Sequence, residues 1–259
     1  MAVKVQHPCA AKIYDPKACV LNDRVILVTG ASKGIGRAVA IEAANHGATV
    51  IVLGKEVKAL ESLHDEILLA GSPQPAIYPM NLANATPADY ETLAEQIDER
   101  YGRLDALLHN AATFNALTPI EHYSLPVWYQ VMQVNLNAPF LLTHATLRLL
   151  RKSPDARVLF TGAADDQLGK AYWGAYAVSK QGCEGLMRVL ADECEINTRI
   201  RVNLLYPGKT STNLRTKAYP GNPQGNAACL LPAALAPHYI YWLGPDSKGT
   251  HGQCVRLIA

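Results

Sequence analysis

The chain lacks the features that would take it to a membrane or to nucleic acid. No run of about 18 apolar residues occurs, so a transmembrane helix is not expected. Residues 1–23 lack the charged-then-apolar layout of a secretion signal. The formal net charge is only +2 across 259 residues, which gives no reason to expect nucleic acid or an anionic membrane as a partner.

Paired or clustered cysteines are also missing. The six cysteines are scattered without C-x-x-C spacing, whereas a disulfide framework or a zinc site needs close, regular spacing. We therefore expect free or buried thiols in a reducing cytoplasm, and no metal site. The cysteines are Cys9, Cys19, Cys183, Cys194, Cys229 and Cys254.

Strand-like and helix-like segments alternate along the chain, and 49% of its residues are hydrophobic. The strand-like segments are 24–29, 48–53, 74–79, 104–109, 157–161, 201–205 and 253–258. The helix-like segments are 35–46, 57–70, 87–101, 125–152, 173–197 and 232–243. Strands separated by helices indicate an α/β fold with a doubly wound parallel sheet of about seven strands and helices on both faces.

This pattern predicts one domain over residues 1–259. Residues 1–21 read as an irregular N-terminal extension. Residues 212–231 are rich in proline and glycine and form the least regular interior stretch. Irregular segments of this kind often cover a binding site, so we expect 212–231 to be a loop on the substrate side.

Glycines cluster directly after the first strand, in the order Gly30-Ala-Ser-Lys-Gly34-Ile-Gly36. Glycines at a strand-to-helix turn allow the backbone to approach a pyrophosphate at the helix N-terminus. The spacing differs from the commoner Gly-x-Gly-x-x-Gly. The alternative is a turn that only needs positive φ angles.

Tyr176 and Lys180 lie four residues apart in a segment that reads as helix. Positions i and i+4 share a helix face, so both side chains can reach one small volume. A nearby cation lowers the pKa of a tyrosine toward the range in which it transfers protons at neutral pH. The alternative is an ordinary pair of surface neighbours.

Two shorter motifs, residues 110–112 and 207–208, join the glycine turn and the Tyr176 segment. The complete set is residues 29–36, 110–112, 176–180 and 207–208. In order and spacing the set resembles that of the short-chain dehydrogenases/reductases, over nearly the whole chain from Leu21 onward. Residues 21–30 and 173–180 are most similar to the bacterial YciK-type oxidoreductases. The resemblance implies a single-domain Rossmann fold, hydride transfer between a nicotinamide and a carbonyl or alcohol substrate, and a homodimer or homotetramer.

The same resemblance assigns roles to individual residues. Tyr176 is the implied proton donor or acceptor. Lys180 is implied to lower the pKa of Tyr176 and to bind the nicotinamide ribose. Asn135 is implied to hold a proton-relay water, with a helix–helix hydrogen bond as the alternative. The implied cofactor residues are Gly30, Ser32, Lys33, Ile35, Gly36, Gly54, Lys55, Asn81, Leu82, Asn110, Ala111, Tyr176, Lys180, Pro207, Gly208, Thr210 and Thr212.

The end of the second strand favours NADP(H) over NAD(H). No acid stands at positions 53–55, where an NAD site usually carries one for the ribose hydroxyls, and Glu56 comes slightly later. Lys55 follows the strand instead, and Lys33 lies in the glycine turn. In the family, bases at these places accompany NADP, because each can face a 2′-phosphate; two ordinary surface lysines are the alternative.

One position departs from the family pattern. A serine normally stands thirteen residues before the tyrosine, but Ala163 occupies that place here. Thr161 is one candidate for a replacement hydroxyl, and Asp165 and Asp166 are expected on a solvated loop. Three explanations stay open: a reductase with altered or slow chemistry, a non-catalytic or regulatory NADP-binding relative, and an engineered or drifted variant.

Overall fold

The computed structural model describes residues 14–163 and 169–257. Its centre is one parallel seven-stranded sheet with the strand order β3-β2-β1-β4-β5-β6-β7. The strands are β1 (Val25–Thr29), β2 (Thr49–Gly54), β3 (Ala76–Pro79), β4 (Ala106–His109), β5 (Ala156–Thr161), β6 (Ile200–Tyr206) and β7 (Cys254–Arg256). The predicted fold class, a doubly wound parallel sheet in a single domain, is confirmed.

Helices cover both faces of this sheet. They are α1 (Gly34–Asn45), α2 (Val57–Leu69), α3 (Pro87–Tyr101), α4 (Leu125–Met132), α5 (Ala138–Lys152), α6 (Gly174–Glu195), α7 (Asn213–Ala218), α8 (Pro223–Ala227) and α9 (Pro232–Leu243). One apolar core joins α1, α2 and α9 to one face, and a second joins α3, α5 and α6 to the other. Every residue of β1 is buried, as expected for a central parallel strand packed on both sides.

The strand order reverses between β1 and β4. The chain runs outward from β1 through β2 to β3, and then returns to place β4 on the other side of β1. Ile26 of β1 is therefore in register with Val50 of β2 on one side and with Ala106 of β4 on the other. In open α/β sheets, ligands bind at the carboxyl ends of the strands beside such a reversal.

The predicted helix 125–152 needs a correction. It is divided into α4 and α5 by a π-helical segment, Gln133–Asn137. A π turn shifts the backbone hydrogen bonds by one residue and often occurs at functional sites. Asn135 lies in the middle of this segment and is 1% exposed.

The predicted substrate-side loop also contains more regular structure than expected. Residues 212–231 include α7 and α8. Thr212 caps α7, because its Oγ1 accepts a hydrogen bond from the backbone N–H of Arg215 at 3.3 Å. The side chain of Asn222 caps α8 in the same way, through Gly225. Local capping of this kind satisfies the first N–H groups of a helix.

Part of the N-terminal extension packs against the domain. Leu21 is fully buried, and its backbone N–H donates to the carbonyl of His46 at 3.0 Å. The ring of Tyr14 meets that of Tyr241 edge-on, 5.2 Å between centroids. Residues 1–13 and Ile258, the end of the last predicted strand, lie outside the described residues. Within the described ranges, no helix combines the length and apolar character needed to cross a bilayer.

Candidate active site

A cavity of about 460 Å³ lies where the strand order reverses. The glycine turn after β1, the ends of β2, β4 and β5, and the start of α7 all contribute to its wall. Every predicted cofactor residue except Gly36 lines it. Gly36 and Asn135 lie behind the wall, both buried. The fold therefore brings the predicted cofactor residues to one place.

Residues that pack against the glycine turn determine its backbone conformation. Gly30 has a φ of +66°, and a Cβ there would lie 2.8 Å from the Cα of Ala111. A Cβ on Gly36 would lie 2.5 Å from Nδ2 of Asn110. Both glycines are thus required because backbone and side chains from the β4 end crowd the turn. This crowding leaves a cradle of backbone at the start of α1.

Thr29 connects the two halves of this cradle, a role that the sequence does not indicate. Its Oγ1 accepts from the backbone N–H groups of Asn110 and Ala111, each at 3.0 Å, and donates to the carbonyl of Leu108 at 3.0 Å. The Nδ2 of Asn110 donates back to the carbonyl of Thr29 at 3.1 Å. These bonds hold the β1 and β4 ends at a fixed distance.

Lys33 and Lys55 both reach the cavity wall near the end of β2. Lys33 Nζ donates to Glu56 at 2.7 Å, and both side chains are about half exposed. This hydrogen bond and the charge of Lys33 lower the pKa of Glu56. Gly54 leaves its Cβ volume to the hydroxyl of Ser32. Lysine, serine and glycine thus surround an open polar corner.

Tyr176 and Lys180 project from α6 into the same cavity, as the i and i+4 spacing predicts. Lys180 Nζ donates to the carbonyl of Thr161, at the end of β5, at 2.8 Å. Burial lowers the pKa of the Lys180 ammonium below its usual range. Burial also lowers the pKa of the nearby His109 to about 3, with the Lys180 charge as the smaller cause. His109 is therefore neutral at physiological pH, so Lys180 does not face a second cation there.

Asn135 is fully engaged by its neighbours. Its Oδ1 accepts from the backbone N–H of Thr113 at 2.7 Å, and its Nδ2 donates to the Thr113 carbonyl at 3.0 Å and to the Ser179 hydroxyl at 3.1 Å. The thiol of Cys183 donates to the Asn135 carbonyl at 2.8 Å. The side chain therefore ties the π segment to α6 and to the loop after β4, which supports the structural alternative for this residue.

The comparisons with known proteins agree with this geometry. A family model described as short chain dehydrogenase matches residues 24–222. The chain belongs to the short-chain dehydrogenases. The oxidoreductase YciK of Escherichia coli (strain K12) is 43% identical over 240 residues, which is 92% of this chain and 93% of the relative. This match confirms the resemblance to YciK-type oxidoreductases.

Solved structures of short-chain dehydrogenases superpose closely on this one. A short chain dehydrogenase from Shigella flexneri 2a str. 301, complexed with NADP, is 41% identical with a TM-score of 0.88, and covers 93% of this chain and 99% of its own. One from Escherichia coli CFT073, complexed with NADPH, is 42% identical with a TM-score of 0.88, and covers 94% and 100%.

Aromatic rings pack around the tyrosine of this short-chain dehydrogenase. The ring centroid of Tyr176 lies 5.8 Å from that of Phe114 and 5.4 Å from that of Trp173. Of these two rings, only that of Phe114 lines the cavity. Trp173 instead packs against Tyr219, at 6.0 Å, and Tyr172 is 55% exposed. Phe114 thus supplies the aromatic surface of the cavity, and Tyr172, Trp173 and Tyr219 are not among its described lining residues.

Ala163, the departure from the short-chain dehydrogenase pattern, lines the cavity and is 1% exposed. Thr161 also lines the cavity, but its Oγ1 accepts a hydrogen bond from Tyr239 of α9 at 3.3 Å, which places the hydroxyl toward α9. The core around α9 lies on the sheet face opposite α6. Asp165 and Asp166 lie outside the described residues.

Part of the remaining cavity wall comes from the predicted substrate-side stretch 212–231, through Asn213, Leu214, Arg215 and Lys217. The loop after β4 adds Thr113 and Phe114, and the segment before Asn135 adds Gln130 and Val134. Gln130 and Val134 are one helical turn apart on α4 and the π segment, a spacing that amphipathic packing alone also produces.

Proposed function

We propose that this protein is an NADP(H)-dependent reductase or dehydrogenase that interconverts a carbonyl compound and an alcohol. The observation that carries the proposal is the shared cavity, in which Tyr176 and Lys180 face the residues of the glycine turn. The relatives complexed with NADP and NADPH support the choice of cofactor.

The residues present fit a dinucleotide. Gly30 and Gly36 open a backbone cradle at the start of α1 that a Cβ would fill, and a helix N-terminus favours the negative charge of a pyrophosphate. Lys33 and Lys55 suit a 2′-phosphate. Lys33 can leave Glu56 at little cost, since an exposed ion pair contributes at most about 1 kcal/mol.

When bound, the nicotinamide supplies or accepts the hydride. Tyr176 donates a proton to the carbonyl oxygen during reduction and accepts one during oxidation. The Lys180 ammonium, held by the Thr161 carbonyl at 2.8 Å, stabilises the phenolate by its charge. The surrounding rings of Phe114 and Trp173 limit water at the phenol.

A non-catalytic, regulatory NADP-binding protein is the second candidate, and Ala163 favours it. The cavity wall presents a methyl group there, so a donor to the substrate oxygen is lacking at that position. Loss of one positioned donor typically reduces the rate by about 10²–10³-fold. The retained Tyr176 and Lys180 favour the reductase.

The two candidates are separated by NADPH oxidation measured across a broad panel of aldehydes and ketones, with cofactor binding measured in parallel. The reductase predicts carbonyl-dependent oxidation of NADPH. Tight NADPH binding without turnover of any compound would support the regulatory protein instead.

Removing either lysine from the polar corner is expected to weaken NADPH binding about tenfold with little effect on NADH, since a hydrogen bond to a charged group is worth about 1.5–3 kcal/mol. Lys33→Ala and Lys55→Ala are compared with Lys248→Ala by fluorescence titration of both cofactors. Lys248 is exposed and lies in the turn after α9, next to Ser247. Ser247 contacts Arg157 at the start of β5, which is the opposite end of that strand from the cavity. Equal affinity of the unaltered protein for NADH and NADPH would overturn the choice of NADP(H).

We also propose a homodimer or homotetramer formed through the surface of α4, α5 and α6. On this face Trp128 and Leu147 are partly buried against apolar clusters, whereas Phe140 is 52% exposed. Phe140 lines a shallow groove with Leu136, Leu141 and Leu186. Phe140→Asp is expected to shift the protein to monomers in light scattering, with Leu69→Asp, an exposed leucine on α2, as the control. An unchanged mass for Phe140→Asp would rule out this face.

A reducing, cytoplasmic location fits the thiols. The described cysteines, Cys19, Cys183, Cys194, Cys229 and Cys254, are all free, and structural disulfides are characteristic of oxidising compartments.

A further inference from the structure

The end of the cavity next to Tyr176 is walled partly by α7, and the charged residues that the structure describes there are basic. Arg215 and Lys217 of α7 line this end beside Phe114. Among the lining residues that the structure describes, Glu56 carries the only carboxylate. That carboxylate lies near the glycine turn and is bonded to Lys33.

Lys217 is held at this end by a neutral acceptor. Its Nζ donates to the carbonyl of Phe114 at 3.0 Å, and the ring of Phe114 meets that of Tyr176 edge-on. An ammonium has three N–H donors and a full charge. A carbonyl uses one of these donors and carries no formal charge to neutralise the ammonium, which is exposed to solvent. No carboxylate of the described residues forms an ion pair with Lys217.

The α7 wall around Lys217 is fixed in place. The guanidinium of Arg215 stacks over the ring of Tyr219, 4.9 Å from its centroid, and Arg215 is 7% exposed. Cation–π contact of this kind restrains the side chain. Lys217 therefore extends from α7 to the Phe114 carbonyl at the cavity wall, with N–H donors that the described residues do not use.

We propose that Lys217 binds an oxyanion of the substrate, either a carboxylate or a phosphate, so that the natural substrate is an anionic carbonyl compound or its alcohol. This rests on the proposed reductase function and names its substrate class. With the carbonyl at Tyr176, the apolar side chains of Phe114, Val134 and Leu214 hold the carbon skeleton, and Lys217 holds the charged end.

Two matched pairs of carbonyl compounds test the charge. Benzoylformate against methyl benzoylformate tests a carboxylate, and dihydroxyacetone phosphate against dihydroxyacetone tests a phosphate. In at least one pair, kcat/KM for the anionic member is expected to exceed that for the neutral member about tenfold. Lys217→Met is expected to remove this advantage through KM, and Lys217→Arg to keep most of it. Lys248→Met removes the same charge elsewhere and is the control.

A binding measurement separates this proposal from the reductase function. Tyr176→Phe protein saturated with NADPH is titrated calorimetrically with the same four compounds, and the double variant with Lys217→Met follows. Anionic binding that is lost with Lys217→Met supports the oxyanion site even if no compound is turned over, in which case the reductase function fails alone. Equal binding of charged and neutral members in both pairs, or an equal loss for both with Lys217→Met, overturns the oxyanion site.

Discussion

Tyr176→Phe is expected to reduce kcat/KM for carbonyl reduction by about 10²–10⁴-fold, the range that a positioned general acid contributes. The phenylalanine ring keeps the contacts with Phe114 and Trp173, at 5.8 and 5.4 Å in the unaltered protein. Stability and NADPH affinity should therefore change little, because Lys180 and the glycine turn stay in place. Steady-state NADPH oxidation and a cofactor titration measure the two effects separately.

Tyr172→Phe provides the matched control for this experiment. It removes the same hydroxyl from a tyrosine four residues earlier, which is 55% exposed and lies outside the cavity wall. Its rate is expected to stay at the level of the unaltered protein. If Tyr176→Phe also keeps full activity, the proton comes from another group and the assignment of Tyr176 is wrong.

The alternating order of strands and helices is predictable from sequence because each strand carries a local signal. Val25 to Thr29 reads as a buried strand without any tertiary knowledge. The glycine turn is equally local, since Gly30 adopts a positive φ of +66° that side chains disfavour. The pair Tyr176 and Lys180 follows from helical spacing alone.

Other features depend on contacts between distant segments and leave no such signal. The π segment at Gln133–Asn137 has the same apolar periodicity as an α-helix over so short a stretch, so one continuous helix was the natural prediction. Thr29 begins the motif 29–36, but the sequence does not show that the backbone N–H of Asn110, 81 positions later, donates to its hydroxyl. Lys217 meets Phe114 across 103 positions, and only the folded chain brings the two together.

At Ala163, before α6, the family motif has a serine, so a hydrogen-bond donor is missing there. The motif alone does not show whether the hydroxyl of Thr161 replaces that donor. The contacts of the two side chains decide this, because β5 ends at Thr161 and Ala163, beyond the strand, packs with Tyr176. The Thr161 hydroxyl meets Tyr239, and Tyr239 belongs to the core of α1 and α9. A hydroxyl at 163 itself is therefore the direct way to restore the donor.

Ala163→Ser is expected to raise kcat by about 10²–10³-fold, since one positioned donor to a developing oxyanion is worth about 2.7–4 kcal/mol. Ala163 already packs with Tyr176 and Trp173 in one cluster, so only one oxygen is added and the fold is kept. In the protein without substrate, the added hydroxyl is buried without the substrate oxygen as its acceptor. The free energy of unfolding should therefore fall by about 1–3 kcal/mol. Turnover of a reactive ketone and thermal melting with NADPH measure the two effects.

Two further variants make this result decisive. Ala163→Cys adds similar bulk with a much weaker donor and is expected to stay near the original rate. Thr161→Val removes the hydroxyl that Tyr239 donates to at 3.3 Å, so it should lower stability while leaving kcat unchanged. If Thr161→Val abolishes turnover, that hydroxyl does reach the substrate. If Ala163→Ser leaves kcat unchanged in a protein that binds NADPH, the absent donor does not limit the chemistry, and the explanation of a slow reductase fails.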